Sequence, residues 1–217
     1  HGSIANTGIG HDHADINEVV TYTPDGQKAI VKYIDDTTGN QLSAEDLTGK
    51  SDQDSGYNTK SKIQEYQGLH YVLVSDSTNG NDIVYDHDNS ADQTYEVHFK
   101  HGTHTINGSV TKNEVVHYVY ADNQSRSGKA YDDYNAESLT FTRDGYHDDV
   151  DNTDHWNAWN PASQQFKLVP SPIIEGYTPD QATISPINMN ANGDNIDMTV
   201  MYKANTQKLS VKFIDDT

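Results

Sequence analysis

Closely spaced aspartates are the residues of this chain whose types and spacing most directly predict chemistry. The segment "DHDNSAD" places Asp86, Asp88, Ser90 and Asp92 at alternate positions, which is how an EF-hand loop begins. It lacks the glycine at position six and the glutamate at position twelve, so an EF-hand itself is excluded. A second acidic segment, "DDVDNTD", carries four more candidate ligands: Asp148, Asp149, Asp151 and Asp154.

Hard cations need several oxygen ligands, so both acidic segments are candidate sites for a structural calcium ion. No cofactor is otherwise expected. The alternative, that the two segments are solvated acidic loops without metal, stays open.

Histidines offer a second kind of chemistry. His98, His101 and His104 lie three residues apart at the end of a predicted strand, and His11 and His13 form an H-x-H pair. Zinc would need three or four ligands that converge on one point, and exposed histidines of a tag and a linker are the preferred interpretation. Their protonation near pH 6.5 would reduce the repulsion between this chain and an acidic partner.

Aromatic rings lie beside amides in the long segment "DGYHDDVDNTDHWNAWNP". It contains Tyr146, Trp156 and Trp159 together with Asn157 and Asn160. Sugars stack their C–H faces on such rings, and polar side chains bind their hydroxyls. The segment therefore predicts a carbohydrate site, with the alternative that Trp156 and Trp159 cover a small hydrophobic core.

Catalytic motifs are missing from the sequence. It has no nucleophile elbow, no glycine-rich phosphate loop and no H-E-x-x-H pair. With no cysteine, a disulfide or a thiolate metal ligand is excluded. The sequence therefore predicts a protein that is not an enzyme.

Charge narrows the range of partners. The 217 residues include 33 acidic and 14 basic side chains, which gives a net charge of −19. Nucleic acids and anionic membranes would repel such a chain, and its apolar runs are too short to span a bilayer. Hydrophobic residues make up only 33% of the chain, so any cores must be small.

Short strands and one helix must position these residues in the first half of the chain. Ala29, Val31 and Tyr33 alternate as the inward face of a strand, and the turn at 35–40 leads to a return strand near Gln41 to Leu47. A helix is predicted from Asn58 or Thr59 to a left-handed stop at Gly68, with Ile63 and Tyr66 on one face. Three further strands are predicted, at 69–75, 82–86 and 93–101.

The second half is predicted to be almost entirely strand. A strand is expected at 108–122, another at "SLTFTR" with Leu139 and Phe141 inward, and a closing strand at 196–203 with Val200 and Tyr202 inward. The segment "DGYHDDVDNTDHWNAWNP" is predicted to be a long loop. A short linker is expected near His101 to Thr105.

The beginning of the chain is repeated at its end. Between Ile16–Thr37 and Ile196–Thr217, eleven of twenty-two residues are identical without a gap, which is typical of a tandem array. Four regions follow: a tag scar and the end of a preceding repeat at 1–26, a first module at 27–102, a second module at 103–204, and the start of the next repeat at 205–217. An elongated rod that contacts neighbouring repeats is the expected arrangement.

Several blocks of sequence agree in order with a known family. "VKYIDDTTGNQLSAEDLTGKS", "YVLVSD" and "DQTYEVHFKH" resemble the first module of the mucus-binding repeats of lactobacilli. "EVVHYVYADN", "LTFTRDG", "WNPASQQFKLVPSPIIEGYTPD" and "MTVMYK" resemble the second module. The resemblance extends from about Lys28 to Lys203.

The resemblance implies an α+β, β-rich fold of two tandem β-grasp (ubiquitin-like) modules. It also implies an extracellular adhesin anchored to a Gram-positive cell wall, which binds mucin glycoproteins and, in some members, immunoglobulins. It carries over no catalytic residues. A structural stalk that projects another domain, without a ligand of its own, is the alternative function.

An edge strand and the neighbouring helix form the candidate immunoglobulin-binding face. Unpaired backbone groups of an edge strand can accept a strand of another chain, and small β-grasp domains bind antibodies through a comparable face. The residues assigned to this face by analogy are Gln41, Leu42, Ser43, Lys60, Lys62 and Glu65.

Overall fold

The chain divides into two units. The computed structural model describes residues 19–121 and 126–214. Unit 1 comprises residues 1–102 together with 148–152, and unit 2 comprises residues 103–147 together with 153–217. The tag scar and the H-x-H pair of His11 and His13 lie outside the described residues.

The described residues of unit 1 form four strands and one helix. In chain order they are β1 (Gly26–Asp35), β2 (Asn40–Lys50), α1 (Lys60–Gly68), β3 (Tyr71–Asp76) and β4 (Gln93–His101). The strands form one sheet in the order β2-β1-β4-β3. The central pair, β1 and β4, is parallel, and the two outer pairs are antiparallel.

The core of unit 1 lies between this sheet and α1. Ala29, Val31 and Tyr33 of β1 are fully buried, which confirms the predicted inward face, and Val97 and Phe99 of β4 lie beside them. Successive side chains of a strand point to opposite faces, so a period of two buries one complete face of each central strand. Hydrophobic burial of this face, at roughly 25 cal/mol per Å² of apolar surface, stabilises the unit.

Two predictions about unit 1 are wrong at the backbone level. The helix does not end on a left-handed Gly68; His70 takes the positive φ of 69° instead, and the next strand therefore begins only at Tyr71. The predicted strand at 82–86 is reduced to a single bridge between Val84 and Asp54. The backbone N–H of Ile83 donates to the carbonyl oxygen of Tyr57, which lies in an irregular segment and not in a neighbouring strand.

Unit 2 contains eleven strands and, among its described residues, no helix. They are β5 (Thr103–Lys112), β6 (Glu114–Tyr120), β7 (Lys129–Asn135), β8 (Leu139–Asp148), β9 (Thr153–Trp156), β10 (Gln164–Phe166), β11 (Val169–Pro170), β12 (Tyr177–Pro179), β13 (Thr183–Ile184), β14 (Ile187–Met189) and β15 (Ile196–Ala204). The larger sheets have the orders β12-β15-β6-β7 and β5-β8-β9. In the first of these, β15 runs parallel to β6.

Unit 2 has two small cores. One is built around Val200 and Tyr202, whose burial confirms their predicted inward direction. The other is built around Phe141 and Phe166, and Trp159 packs against it from a half-buried position. The low apolar content of the sequence accounts for this division into small clusters.

Three predictions about the second half need correction. The strand expected at 108–122 is interrupted at Asn113, where β5 ends and β6 begins, and the expected linker near His101 to Thr105 is mostly strand. The long acidic loop is instead a pair of strands, β8 and β9, joined by a tight turn. The carboxylate of Asp148 closes that turn because it accepts the N–H groups of Val150 and Asp151, and Asn152 adopts a positive φ.

Candidate functional site

The two tryptophans of the predicted carbohydrate site both pack against an arginine. The guanidinium carbon of Arg143 lies 4.2 Å from the ring centroid of Trp156 and 4.4 Å from that of Trp159. Both distances are within the range of a cation–π interaction. Arg143 of β8, Trp156 of β9 and Trp159 are called the Arg–Trp stack below.

Arg143 is not among the residues that the sequence predicts for this site. A signal for it exists, because Arg143 follows the buried Phe141 by two positions on β8. With a period of two, a charged residue therefore occupies a position on the inward face of a strand. Such a residue requires a partner, and the two indole rings provide one.

Two glycines leave the space that the Arg–Trp stack occupies. A Cβ atom on Gly108 of β5 would lie 3.2 Å from Cγ of Arg143 and 3.3 Å from the ring of Trp156. A Cβ atom on Gly145 of β8 would lie 2.3 Å from the backbone oxygen of His155. Side chains at either position would displace Arg143, Trp156 or the backbone of β9.

An open cavity of about 400 Å³ is lined, among the members of the Arg–Trp stack, by Arg143. Its size is at the lower end of the range for small-ligand pockets. Apart from Gly108, which has no side chain, amides, hydroxyls and opposite charges line it: Asn107, Ser109, Thr142, Arg143, Asp144 and Asn160. This composition suits a polyhydroxylated ligand.

The two predicted asparagines are fixed against β8. Asn160 exchanges backbone hydrogen bonds with Thr142, at 2.7 and 2.9 Å, and lines the cavity. Asn157 donates from Nδ2 to the Asp144 carboxylate at 3.3 Å and from its backbone N–H to the Asp144 carbonyl at 3.0 Å. The segment that carries Trp159 is thus anchored on both sides.

Tyr146 is not part of this arrangement. It stacks on His155, with ring centroids 4.6 Å apart and an angle of 15° between the rings. Tyr146 follows Arg143 by three positions along β8, an odd offset, so the two side chains point to opposite faces. The structure therefore brings together Trp156, Trp159 and Asn160 of the five predicted residues, with Asn157 beside them and Tyr146 apart.

In the first acidic segment the carboxylates close local turns. Asp86 accepts the backbone N–H of Asp88, and Asp88 accepts both the N–H and the hydroxyl of Ser90. The bonds from Ser90 lower the pKa of Asp88. Asp92 instead lines a shallow cavity beside β1 and β2. Calcium binding at this segment stays a prediction.

In the second acidic segment the carboxylates have different partners. Asp148 and Asp151 lie beside His101 of β4, whereas Asp154 lies 2.7 Å from Nδ1 of His147. The backbone N–H of Asp149 donates to the carbonyl of Gly102. Among the described residues, His101, Asp148 and Asp151 are the group whose ligand atoms lie close enough to hold a metal ion. Calcium here also stays a prediction.

His101 forms the centre of a buried ion cluster in unit 1. It donates through Nδ1 to Asp148 at 2.7 Å and through Nε2 to Asp35 at 3.0 Å. The side chain of His101 is only 3% exposed. The prediction of an exposed linker histidine is therefore wrong for His101, because its carboxylate partners lie far from it in sequence and cover it. His98 has a separate partner in Asp36.

Proton affinities in this ion cluster favour the charged forms. Burial alone would lower the pKa of His101, but the hydrogen bonds to Asp148 and Asp35 outweigh it and raise that pKa. Burial alone would raise the pKa of Asp35, but hydrogen bonds from Thr38, Thr37 and His101 lower it. Burial alone would likewise raise the pKa of Asp148, but hydrogen bonds from Asp151, His101 and Val150 lower it. The imidazolium and the two carboxylates therefore stabilise one another.

Glu114 of β6 is a second buried charge-bearing residue that the sequence does not single out. It is 1% exposed, and neither carboxyl oxygen has a hydrogen-bond partner among the described residues. Burial raises the pKa of Glu114. Its position on the inward face of β6, two residues before the buried Val116, was the available signal.

The candidate immunoglobulin-binding face lies in unit 1. β2, which carries Gln41, Leu42 and Ser43, is an edge strand of the sheet. The helix α1 is linked to it by a hydrogen bond from Tyr66 Oη to Ser43 Oγ at 2.9 Å. On α1, Lys62 forms an ion pair with Glu65 at 2.9 Å, and Lys60 lies in its first turn.

The described residues include no helix with the length and apolar composition needed to cross a bilayer.

Similarity to known proteins defines the class of the chain. Residues 27–101 match the family model described as a mucin binding domain, and residues 103–206 match that of the Muc B2-like domain. The chain is thus a repeat built of two consecutive domains of the mucin-binding type. No curated protein matches it.

Solved structures give the particular family. A crystal structure of Mub-RV is 34% identical, with a TM-score of 0.71, over 83% of this chain and all of that one. The type 2 repeat of the mucus binding protein MUB from Lactobacillus reuteri is 36% identical, with a TM-score of 0.56, over 82% of this chain and all of that one. The chain belongs to the family of Mub-type mucus-binding repeats.

Proposed function

We propose that this chain is an adhesion repeat that binds mucin glycoproteins through the cavity at the Arg–Trp stack. The observation that carries this proposal is the position of Trp156, Trp159 and Arg143 beside a polar cavity of about 400 Å³. Amides and hydroxyls line this cavity, and two aromatic rings pack against Arg143 at its wall; a sugar requires both kinds of group, since it presents both C–H faces and hydroxyls. Family membership supports the same ligand class.

The proposed setting is the extracellular surface of a Gram-positive bacterium, in a protein anchored to the cell wall. The relative from Lactobacillus reuteri is a repeat of a mucus-binding protein, and a net charge of −19 suits a solvated surface protein. Each unit is proposed to be of the β-grasp type. The order β2-β1-β4-β3 with a parallel central pair and one helix supports this for unit 1, and the parallel pair of β15 and β6 supports it for unit 2.

Immunoglobulin binding is a second candidate function. It is supported by β2, whose outer edge pairs with no strand of residues 19–121 or 126–214. Such an edge can pair with a strand of another chain. Immobilised immunoglobulin that captures the repeat, and fails to capture a Ser43→Pro variant of this edge, would support it.

Binding of the single repeat to immobilised mucin tests the main proposal. The Trp156→Ala variant removes one wall of the Arg–Trp stack and should weaken binding at least about tenfold. Tyr146→Ala is the matched control: it removes an exposed ring of the same strand pair that lies outside the cavity. Equal losses in both variants, or no saturable binding by the unaltered repeat as expected for a stalk, would contradict the proposal.

A further inference from the structure

We propose that unit 1 binds a divalent transition-metal ion, for which zinc is the best fit, between His101 of β4 and the carboxylates of Asp148 and Asp151. Among the described residues, these three form the group whose ligand atoms all lie within 4.8 Å of one another. The site shares no residue with the carbohydrate cavity and does not depend on the proposed function. It differs from the calcium site expected from the sequence in its ion and in its histidine ligand.

The distances between the ligand atoms are close to those of a tetrahedral zinc site. Nδ1 of His101 lies 2.7 Å from Oδ2 of Asp148 and 3.8 Å from Oδ2 of Asp151. Zinc–ligand bonds of about 2.0–2.1 Å place two tetrahedral ligand atoms roughly 3.3 Å apart. Zinc binding therefore requires the first pair of atoms to separate, and the second pair to approach, by about half an ångström each.

A second carboxylate holds the other nitrogen of the imidazole. Nε2 of His101 donates to Asp35 at 3.0 Å, and Asp35 is itself fixed by the backbone N–H of Thr37 and the hydroxyl of Thr38. A metal-ligating histidine characteristically donates its remaining N–H to a carboxylate, which fixes the ring and directs the other nitrogen at the ion. The ring of Tyr71 packs edge-on against the imidazole, with centroids 5.4 Å apart. Asp35 is thus a positioning residue that does not touch the ion.

Each of the two ligating carboxylates has an oxygen left for the ion. Oδ1 of Asp148 accepts the N–H groups of Val150 and Asp151, so Oδ2 is the atom that faces His101. Within the described part of the chain, the Asp151 carboxylate accepts no hydrogen bond, and its one ion pair is with His101. The side chain of Asp151 is 58% exposed. An ion can therefore enter from this side, and water can complete its coordination there.

The ligand set favours zinc over calcium. Calcium takes about six to eight oxygen ligands, whereas this group offers one ring nitrogen and two carboxylates. Imidazole together with carboxylates is a ligand set of zinc and of neighbouring first-row metals. The histidine therefore decides the class of ion.

Zinc would take the place of a proton. In the metal-free form both ring nitrogens of His101 donate hydrogen bonds, so Nδ1 carries the proton that faces Asp148. When the ion binds, that proton leaves to solvent and the lone pair of Nδ1 bonds the metal, while Nε2 keeps its proton towards Asp35. The ion would join the end of β4 to the turn at 148–152, which belongs to unit 1 although it lies 47 positions away in sequence. Zinc should therefore stabilise unit 1.

Calorimetric titration of the whole repeat with zinc chloride tests the proposal. All proteins carry His11→Ala and His13→Ala, so that this pair adds no zinc site of its own. Asp151→Ala should weaken the tightest zinc-binding step at least about a hundredfold, since loss of an outer-shell partner alone costs about 10–100-fold. Asp154→Ala is the matched control, because it removes a carboxylate of the same acidic segment that pairs with His147 instead. It should bind zinc as tightly as the parent protein.

Nitrogen-15 NMR of the histidine rings identifies the nitrogen ligand. Zinc should shift the Nδ1 signal of His101 and remove its proton, whereas Nε2 should keep its proton. At free zinc a hundredfold above its Kd, amide exchange of β4 should slow by about a hundredfold, and Asp151→Ala should lose this effect. Neither measurement requires a His101 variant, so the test stays decisive even if His101→Ala fails to fold.

Four results would overturn the proposal. They are the absence of saturable zinc binding, equal zinc affinities of Asp151→Ala and Asp154→Ala, ring signals of His101 that stay unchanged at saturating zinc, and calcium bound more tightly than zinc. Mucin binding by the metal-free repeat is measured separately. Its failure would overturn the proposed function and leave the metal site untouched, because the two sites share no residue.

Discussion

Replacement of His101 by alanine is expected to lower the free energy of unfolding of unit 1 by about 3–5 kcal/mol, the usual cost of removing one partner from a buried ion cluster. The two contacts are short, 2.7 Å to Asp148 and 3.0 Å to Asp35, and the imidazole is only 3% exposed. Two charge-assisted hydrogen bonds at about 1.5–3 kcal/mol each give a similar magnitude. The substitution would leave two buried carboxylates without the cation between them.

The contribution of this cluster should depend on pH in both directions. The pKa of His101 is raised in the folded state. Its contribution to the free energy of unfolding is therefore complete below the ordinary histidine pKa of about 6.5, and it is lost as pH rises through the higher pKa of the folded state. The pKa values of Asp35 and Asp148 are lowered. Their contribution is complete above about pH 4 and is lost as pH falls through the lower folded values. The difference between the unaltered chain and His101→Ala should therefore be largest at about pH 5–6.

Groups around the cluster modify this profile without reversing it. Asp151 lies 3.8 Å from Nδ1 of His101, and the ring of Tyr71 contacts the imidazole edge-on with centroids 5.4 Å apart. Burial raises the pKa of Tyr71, so this phenol stays neutral throughout the relevant range. Asp151 is exposed and adds a screened attraction of the same sign.

The assay can separate the two units because both tryptophans lie in unit 2. Amide hydrogen exchange of β1 and β4 reports unit 1, and tryptophan emission reports unit 2. His98→Ala is the matched control on the same strand. Its partner distance of 2.7 Å to Asp36 is equally short, but its side chain is 29% exposed, so the loss should be at most about 1 kcal/mol. Similar losses for His98→Ala and His101→Ala, or a unit 1 that gains stability from pH 6 to 8, would refute the reasoning.

Three further predictions concern other parts of the chain. Glu114→Leu should stabilise unit 2 by about 1–3 kcal/mol at neutral pH, because it removes a buried carboxyl without hydrogen bonds to the described residues. Burial raises the pKa of Glu114, so the gain in stability, measured by tryptophan emission, should shrink towards pH 4. A gain that does not depend on pH would count against this explanation. Gly145→Ala should destabilise unit 2 by about 1–3 kcal/mol in chemical unfolding, because the added Cβ would lie 2.3 Å from the backbone oxygen of His155. Gly26→Ala is the control, because no described atom lies within 4 Å of a Cβ at that position. Equal effects of the two substitutions would contradict the steric argument. Calcium at a hundredfold excess over its dissociation constant should stabilise the chelated protein by about 2.7 kcal/mol if the acidic segments bind it, and an unchanged melting temperature would argue for solvated loops.

The strand phases of this protein could be read from its sequence. Ala29, Val31 and Tyr33 occupy alternate positions, but Ile30 leaves the buried face ambiguous in one copy. The second copy has Ser210 at the position of Ile30, which removes the ambiguity. Their complete burial follows from the period of two of a β-strand. The same reasoning correctly places Val200 and Tyr202 in the second unit.

The partners of the buried charges could not be read in the same way. His101 and Asp148 are 47 positions apart, and His101 and Asp35 are 66 apart, so no local pattern predicts that they meet. The contacts of Arg143 are unpredictable for a related reason: Trp156 becomes its neighbour only when β9 pairs with β8, and Trp159 only when Asn160 pairs with Thr142. The pairing of strands decides these contacts, and local periodicity determines only which face a residue occupies.

The helix end and the second acidic segment show where local rules were too coarse. Gly68 is the residue that favours a left-handed conformation, yet His70 adopts it, because the chain turns into β3 at the next residue, Tyr71. In the acidic segment, Asp148 accepts the N–H groups of the following residues and closes a turn. A run of carboxylates thus became a connection between two strands, where the sequence suggested a long loop.

The most direct test of mucin binding through the Arg–Trp stack uses the only two indole groups in the chain. In a nitrogen-15 NMR titration of the repeat with glycans released from mucin, the Nε1–H signals of Trp156 and Trp159 report the cavity through Arg143, which both rings contact and which lines it. Both signals should shift in a saturable manner, and the dissociation constant from these shifts should agree with that of mucin binding measured on the same repeat. Indole signals that stay unchanged while mucin still binds, with shifts confined to unit 1, would contradict the assignment of the binding site.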